Sequence, residues 1–332
     1  MNCFISINST NKAKTDIDAL MLDMGFRDLS IHGWGHGHVE TFFRKVLSMV
    51  NILFRLHRGD VLLIQYPFKK FFVAQCKIAH LKGAKTITLI HDLGAFRRKK
   101  LTAEQENRRL SHTDCIIAHN DSMKRWIEDN GYGGAVVSLD IFDYLSGVAL
   151  NYEREVQGSQ SVVYAGGLGE RKNAFLYDVG RAMPDMHIDL YGDGDLDKSR
   201  FPDNVTWHGR IPSEEFIANV RGRWGLVWDG DSTDACNGIW GEYLRLNNPH
   251  KTSFYLRAGL PVIVWKQAAM APFILKNNIG VAIDNLSELT PLLSAISDDE
   301  YAQIKANVMN TQRQLQDGYF FKQAFRKAVS GL

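Results

Sequence analysis

Two consecutive Rossmann-like, doubly wound α/β domains are predicted by three features of the sequence. Short apolar or β-branched runs alternate with stretches long enough for a helix along the whole chain. Its 332 residues, 45% of them hydrophobic and 23% charged, suffice for about two domains with substantial cores. The segments that follow the runs are glycine-rich, polar or charged, as expected at the ligand-binding edge of an open parallel sheet.

In the first half the runs fall at residues 3–7, 61–66, 86–91, 115–119 and 135–139, each the length of a buried strand. In the second half they recur at 162–165, 188–191, 205–208, 225–229, 261–265 and 280–283. Ser146-Gly147 and the polar segment 153–160 interrupt the alternation. An N-terminal domain of residues 1–150 and a C-terminal domain of residues 151–316 are therefore expected. Residues 317–332 remain as a terminal amphipathic helix with Phe320, Phe321, Phe325 and Val329 on related faces.

Composition excludes several classes. Cys3, Cys76, Cys115 and Cys236 lie far apart without CxxC spacing, which predicts reduced thiols rather than a disulfide framework or a zinc site. No apolar run reaches the roughly 18 residues of a membrane span, and the N-terminus lacks the basic and apolar regions of a signal peptide. A cytoplasmic protein is expected. The net charge of +2 conceals an asymmetry: residues 41–100 hold thirteen Lys or Arg against Asp60 and Asp92, a local charge of +11. Aromatic and basic side chains interleave there in Phe42-Phe43-Arg44-Lys45, Pro67-Phe68-Lys69-Lys70-Phe71-Phe72 and Phe96-Arg97-Arg98-Lys99-Lys100. Such a surface suits peripheral contact with anionic lipid at the inner face of a membrane. Nucleic acid is the competing partner for it, and a solvated basic face over core aromatics is the plainer alternative.

The densest chemical signal is Asn247-Asn248-Pro249-His250-Lys251-Thr252-Ser253, leading into Phe254-Tyr255-Leu256-Arg257-Ala258-Gly259 and the apolar run 261–265. Asn248 is expected as the N-cap and Pro249 at the first helical position. First-turn N–H groups, Lys251 and the Thr252 and Ser253 hydroxyls would then form a corner for a diphosphate. Three further segments follow strands: Gly166-Gly167-Leu168-Gly169-Glu170-Arg171-Lys172-Asn173, Gly192-Asp193-Gly194 and Trp228-Asp229-Gly230-Asp231-Ser232. The first two bring backbone amides and cations toward a ligand, and the third offers carboxylates to sugar hydroxyls; tight turns are the alternative for each. None of them is GxGxxG or a Walker loop, and no GxGxxG follows residues 3–7, which opposes a dinucleotide-dependent enzyme.

Taken in order, Tyr164-Ala165-Gly166-Gly167-Leu168 with Arg171-Lys172, residues 225–232, Tyr243-Leu244 and residues 247–253 resemble bacterial galactofuranosyltransferases of polysaccharide synthesis. More broadly the chain is similar to the two-domain GT-B sugar transferases that include the glucosyltransferases of serine-rich adhesins. Gly59-Asp60-Val61, Leu89-Ile90-His91-Asp92, Ala118-His119-Asn120 and Gly318-Tyr319-Phe320-Phe321 extend the likeness over nearly the whole chain.

The resemblance implies a GT-B fold, two Rossmann-like domains facing a central cleft, with the final helix crossing back to the first domain. It implies an inverting hexosyltransferase, its sugar expected to be galactofuranose, that uses a UDP-sugar donor and a glycan or lipid-linked glycan acceptor, with no cofactor and no metal. Asp229-Gly230-Asp231 is the one acidic pair that a hard cation would use instead. Lys251 and Arg171, then Lys172, are expected at the diphosphate with Gly167, His250 and Thr252; Tyr191 is expected near the uracil, and Asp229, Asp231, Glu242 and Asn247 near the hexose. Asp92 is expected to act as general base, with His91 as its alternative. Ser9, Thr10 and Asn11, in the loop that begins at Asn8, are expected to reach across the cleft or to the acceptor. Homo-oligomers are compatible with the sequence, and no nucleic-acid partner is expected under this reading. The alternative class is a non-enzymatic protein that binds nucleotide or nucleic acid through its basic N-terminal face.

Overall fold

The computed structural model describes residues 1–6, 9–32, 38–67, 71–97, 101–151 and 160–332. Asn8, Phe68 to Lys70, Arg98 to Lys100 and residues 153–159, all singled out above, lie outside the described residues. The chain divides into one compact unit of residues 1–143 and 318–332 and another of residues 144–317.

The first unit is built on a parallel sheet of β1 (Asn2–Phe4), β2 (Arg27–Asp28), β3 (Val61–Tyr66), β4 (Lys85–Ile90), β5 (Cys115–Ala118) and β6 (Ala135–Ser138) in the order β2-β1-β3-β4-β5-β6. The apolar runs become central strands because both faces are covered: Leu62, Leu63, Ile87, Leu89, Ile116 and Ile117 are fully buried. β2 is only two residues long, Arg-Asp, and carries no apolar run that would announce it. Strand order reverses between β1 and β3, so the ends of these strands form the switch point of the sheet.

The terminal helix Tyr319–Ser330 belongs to this unit and packs against β5 and β6. Asp143 holds its start. The buried carboxylate accepts the Phe320 N–H at 3.1 Å and the Phe321 N–H at 2.7 Å, using two donors that the first helical turn leaves without partners. Phe325, one turn on from Phe321, places its ring 4.8 Å from that of Phe26.

The second unit carries β7 (Ser161–Ala165), β8 (His187–Tyr191), β9 (Val205–Gly209), β10 (Trp224–Val227), β11 (Val262–Trp265) and β12 (Gly280–Ile283). They form a second parallel sheet in the order β12-β11-β10-β7-β8-β9. Order reverses between β7 and β10, which places the residues after Ala165 and after Val227 side by side. Arg257 is fully buried here and donates to the Ser146 and Val148 carbonyls at 2.7 and 2.8 Å, tying residues 146–148 into the unit. Among the described residues no helix is long and apolar enough to cross a membrane.

Candidate functional site

At the switch point of the second sheet a cation cluster forms around one carboxylate. Asp229 follows β10 and is buried. Lys251, in the helix His250–Arg257, donates to Asp229 Oδ1 at 3.1 Å, and Lys172, in the turn after β7, lies 3.5 Å from Oδ2. Lys251 Nζ also donates to the Tyr164 hydroxyl at 2.7 Å and sits 4.1 Å from the centre of that ring. Tyr164 accepts from Asn173 Nδ2 as well, and its own proton faces the Trp228 carbonyl at 3.2 Å and Asp229 Oδ1 at 3.3 Å. Two lysines and one carboxylate leave a net positive charge, as an anion site needs. Lys172 is the more exposed of the two cations and lies 5.2 Å from the Trp240 ring centre.

Burial weakens the hold of Lys251 on its proton. Only 11% of its side chain is exposed, and desolvation lowers its pKa from the ordinary 10.5 to about 8, against the opposing pull of Asp229. Desolvation likewise raises the Tyr164 hydroxyl well above its ordinary value, so Tyr164 stays neutral and serves as a hydrogen-bonding partner.

The backbone is drawn tightly together around this cluster. Tyr255, one turn past Lys251, accepts the Ala165 N–H at 2.6 Å, and its ring occupies the space that a side chain at position 225 would fill: a Cβ on Gly225 would come within 2.5 Å of it. The Gly166 to Lys172 turn and the Gly192 to Gly194 loop interlock. Gly166 N–H donates to Tyr191 O and Leu168 N–H to Asp193 O, both at 3.0 Å, while Gly192 N–H donates to Gly209 O at 2.8 Å. These amides, expected to face a ligand, hold the loops to each other instead. Gly192 has φ 135°, and a Cβ there would meet Gly166 O at 1.8 Å.

Beside the interlocked loops opens a cavity of about 350 Å³, lined by Gly166, Gly167, Tyr191, Arg210, Phe216 and Phe254 among others. Tyr191 forms one wall; its ring stacks on His208 at 4.6 Å and 14°, and His208 Nε2 is held 2.6 Å from Asp189 Oδ1. Phe216 and Phe254 stack at 4.4 Å. A flat aromatic wall with glycine backbone and Arg210 at its rim suits a planar, hydrogen-bonding ring attached to an anion.

The structure brings Gly167, Lys172, Tyr191, Asp229 and Lys251 to the carboxyl edge of this sheet, and Arg171, exposed, to the turn after β7. One expectation is corrected, and the other expected residues lie as follows. Asn248 does not cap the helix: Pro249 keeps an extended ψ of 126° and takes the N-cap position, so the helix begins one residue later, with Asn248 buried upstream. Thr252 and Ser253 are buried, because successive helical positions turn about 100° and those after Lys251 face the core. Asp229 is engaged by two ammonium groups, whereas Asp231 is exposed and accepts from Asn237 Nδ2 at 2.5 Å. Glu242 is exposed and paired with Arg245 at 2.9 Å. Asn247 Oδ1 is buried without a hydrogen-bond partner among the described residues, and His250 stacks on Tyr144 at 4.9 Å. Among the described residues no group of three or more His, Cys, Asp or Glu side chains is arranged to hold a metal ion.

In the first unit, His91 and Asp92 follow β4. His91 Nε2 lies 2.6 Å from Gln65 Oε1, and Gln65 donates through Nε2 to Asp18 Oδ1 at 2.6 Å. Because a carboxylate only accepts, this chain orients the Gln65 amide so that its oxygen faces His91, which therefore carries its proton on Nε2. Ser6 Oγ also donates to Asp18, and burial raises that carboxyl to about 6. Asp92 is half-buried. Asn11 is the N-cap residue of the helix Lys12–Asp23, its N–H held by Ser9 Oγ at 3.1 Å, and Thr10 is exposed beside it. Gln65 and Asp18 escaped sequence reasoning, although a glutamine in the apolar run Val61-Leu62-Leu63-Ile64-Gln65-Tyr66 was a signal.

Comparison with known proteins finds relatives over nearly the whole chain. The model of the glucosyltransferase 3-like N-terminal domain matches residues 4–141, and that of the C-terminal domain matches residues 162–328. The β-1,6-galactofuranosyltransferase WbbI of Escherichia coli K12 is 30% identical over 321 residues, covering 95% of this chain and 93% of that protein. Glucosyltransferase 3 of Streptococcus gordonii is 24% identical over 328 residues, covering 96% and 93%. Among solved structures, the lipopolysaccharide outer core galactosyltransferase WaaB in its apo form has a TM-score of 0.62 at 12% identity, over 99% of this chain and 98% of that one. The shared architecture is GT-B.

Proposed function

The chain belongs to the glucosyltransferase 3-like family and is a glycosyltransferase of cell-surface glycan synthesis, and from that premise we propose that it transfers a hexose from a UDP-sugar to a glycan acceptor with inversion. The observation that carries the donor half is the Lys251–Asp229–Lys172 cluster at the same sheet edge as a cavity walled by Tyr191.

Uracil lies against Tyr191, and the diphosphate reaches past Gly167 to Lys251, Lys172 and Arg171. As the bond from the anomeric carbon to the β-phosphate oxygen breaks, negative charge grows on the diphosphate, and cations already in place stabilise the transition state more than the ground state. Asp229 keeps the two lysines together before the donor arrives. Asp92 takes the proton of the acceptor hydroxyl as that oxygen attacks the opposite face of the sugar, with His91 as the alternative base. Galactofuranose is the proposed sugar on the strength of WbbI, the 30% identical relative.

Calorimetric titration with UDP, GDP and NAD, with and without Mg²⁺, tests the donor half on wild type and Lys251→Ala. The reading expects UDP to bind without metal and Lys251→Ala to abolish binding; absence of nucleotide binding by the wild type would refute it. Transfer from UDP-galactofuranose but not UDP-glucose would support the sugar, and the reverse would reassign it.

A further inference from the structure

The helix His38–Arg55 of the first unit buries one face and leaves the other apolar. Ser48, Ile52 and Leu56 turn inward, and the helix is pinned by Ile31 N–H to Ser48 Oγ at 3.1 Å and by Asn51 Nδ2 to the Leu29 carbonyl at 3.2 Å. Outward, Phe43, Leu47, Val50 and Phe54 follow one another at spacings of four, three and four residues and form a single stripe. Phe43 is 56% exposed and Phe54 73%, with Phe42 and Leu53 widening the stripe at either end. Isolated exposed apolar residues are ordinary; six on one helix, with three phenylalanines among them, mark a contact surface. Arg44 and Arg55 lie about a quarter turn around the helix, along one edge of the stripe.

We propose that this helix face docks on an anionic lipid surface, with the phenylalanines in the headgroup region and the arginines on the phosphates. Charge selects this occupant. The helix carries Arg44, Lys45 and Arg55 against one acid, Glu40 in its first turn, and Arg58 follows shortly after its end. A second copy of the same face would bring like charges together across a two-fold interface. The centre of the stripe is aliphatic, with neither the cations nor the stacking rings that a nucleic-acid strand requires there. An amphipathic helix with aromatic and aliphatic residues on one side and arginines along its edge matches the interfacial binding mode. The inference depends on the transferase reading only in giving a lipid-linked acceptor a place to be met.

Vesicle flotation of the full chain tests the proposal, comparing phosphatidylcholine vesicles with vesicles that also contain phosphatidylglycerol. Wild type should float with the anionic vesicles and not the neutral ones, and the floated fraction should fall about tenfold when salt is raised from roughly 0.05 to 0.5 M. Phe43→Glu/Phe54→Glu should abolish flotation while leaving the melting temperature and UDP titration as in wild type, since both positions are exposed and remote in sequence from the donor residues. Equal flotation with neutral vesicles, or none with anionic ones, overturns the proposal. So does a dimer in sedimentation velocity that the double substitution dissolves, or salt-resistant retention on single-stranded DNA. Flotation without any UDP binding would instead strike at the transferase reading and leave the lipid surface standing.

Discussion

Donor binding should be coupled to proton uptake by Lys251, and the coupling can be worked out from the structure. Burial lowers this lysine to about 8, so at pH 8.5 about three-quarters of the free protein carries it neutral, and at pH 7 about a tenth. A diphosphate against Nζ favours the ammonium form; restoring the ordinary value of 10.5 would correspond to about 3 kcal/mol of coupling. The bound state holds the proton more tightly than the free state, so affinity is full below pH 8 and falls about tenfold per unit above it, until the bound-state pKa is reached. Calorimetry in two buffers of different ionisation enthalpy should give an uptake of about 0.8 proton per UDP at pH 8.5 and about 0.1 at pH 7. Lys251→Arg, charged at both pH values, should bind without this difference. Protonation of UDP itself is common to both proteins and cancels in the comparison. Tight UDP binding with equal uptake by wild type and Lys251→Arg at pH 8.5 would refute both the placement of Lys251 at the diphosphate and the effect of its burial.

Removing Asp229 should cost more than removing the pair: Asp229→Ala strands two ammonium groups and should lower unfolding free energy by about 3–5 kcal/mol, whereas Asp229→Ala/Lys251→Met should recover part of that in urea titrations. Gly192→Ala forces a side chain at φ 135° against Gly166 O and should lower stability by about 2 kcal/mol or more, with weaker UDP binding because the loops beside Tyr191 separate. Asp143→Ala removes the acceptor of two helix-start N–H groups and should destabilise by about 1–2 kcal/mol in the same titrations. Burial raises that carboxyl to about 7, so the native state holds a proton that the unfolded chain releases near pH 4. Stability should therefore decline as pH rises from 4 to 7, and Asp143→Asn should flatten the decline. Asp92→Asn should leave the UDP dissociation constant unchanged and reduce kcat; full activity would remove Asp92 as the base.

The sheets were legible in the sequence because a parallel strand buried on both faces is rich in apolar and β-branched residues, and eleven of the twelve strands among the described residues coincide with such a run, although β8 is broken by Asp189 and the edge strand β9 is largely exposed. The exception, Arg27-Asp28, takes its place from pairing with β1 rather than from its own side chains, and nothing local marks it. The site was legible to the depth at which strand ends predict loops. That Lys251 and Lys172 come to one edge was implied by the switch between β7 and β10; that they meet on Asp229, with Tyr164 bonded to Lys251, was not. Asp229 stood in an acidic turn that resembled a sugar contact, and its role as a counter-ion arises only when residues 172, 229 and 251 are folded together. Tyr164 and Gln65 show the same limit. Each is a polar residue in a strand that sequence patterning assigns to the core, and each is buried as expected. What patterning does not reveal is that a buried polar group must find a partner, and that the partner found is a candidate catalytic or binding residue: Lys251 for Tyr164, His91 for Gln65. Polar residues at the carboxyl ends of buried strands are thus the sequence signal for the layer of residues that positions such a site, and in this chain both of them lie one strand from a switch point or on it.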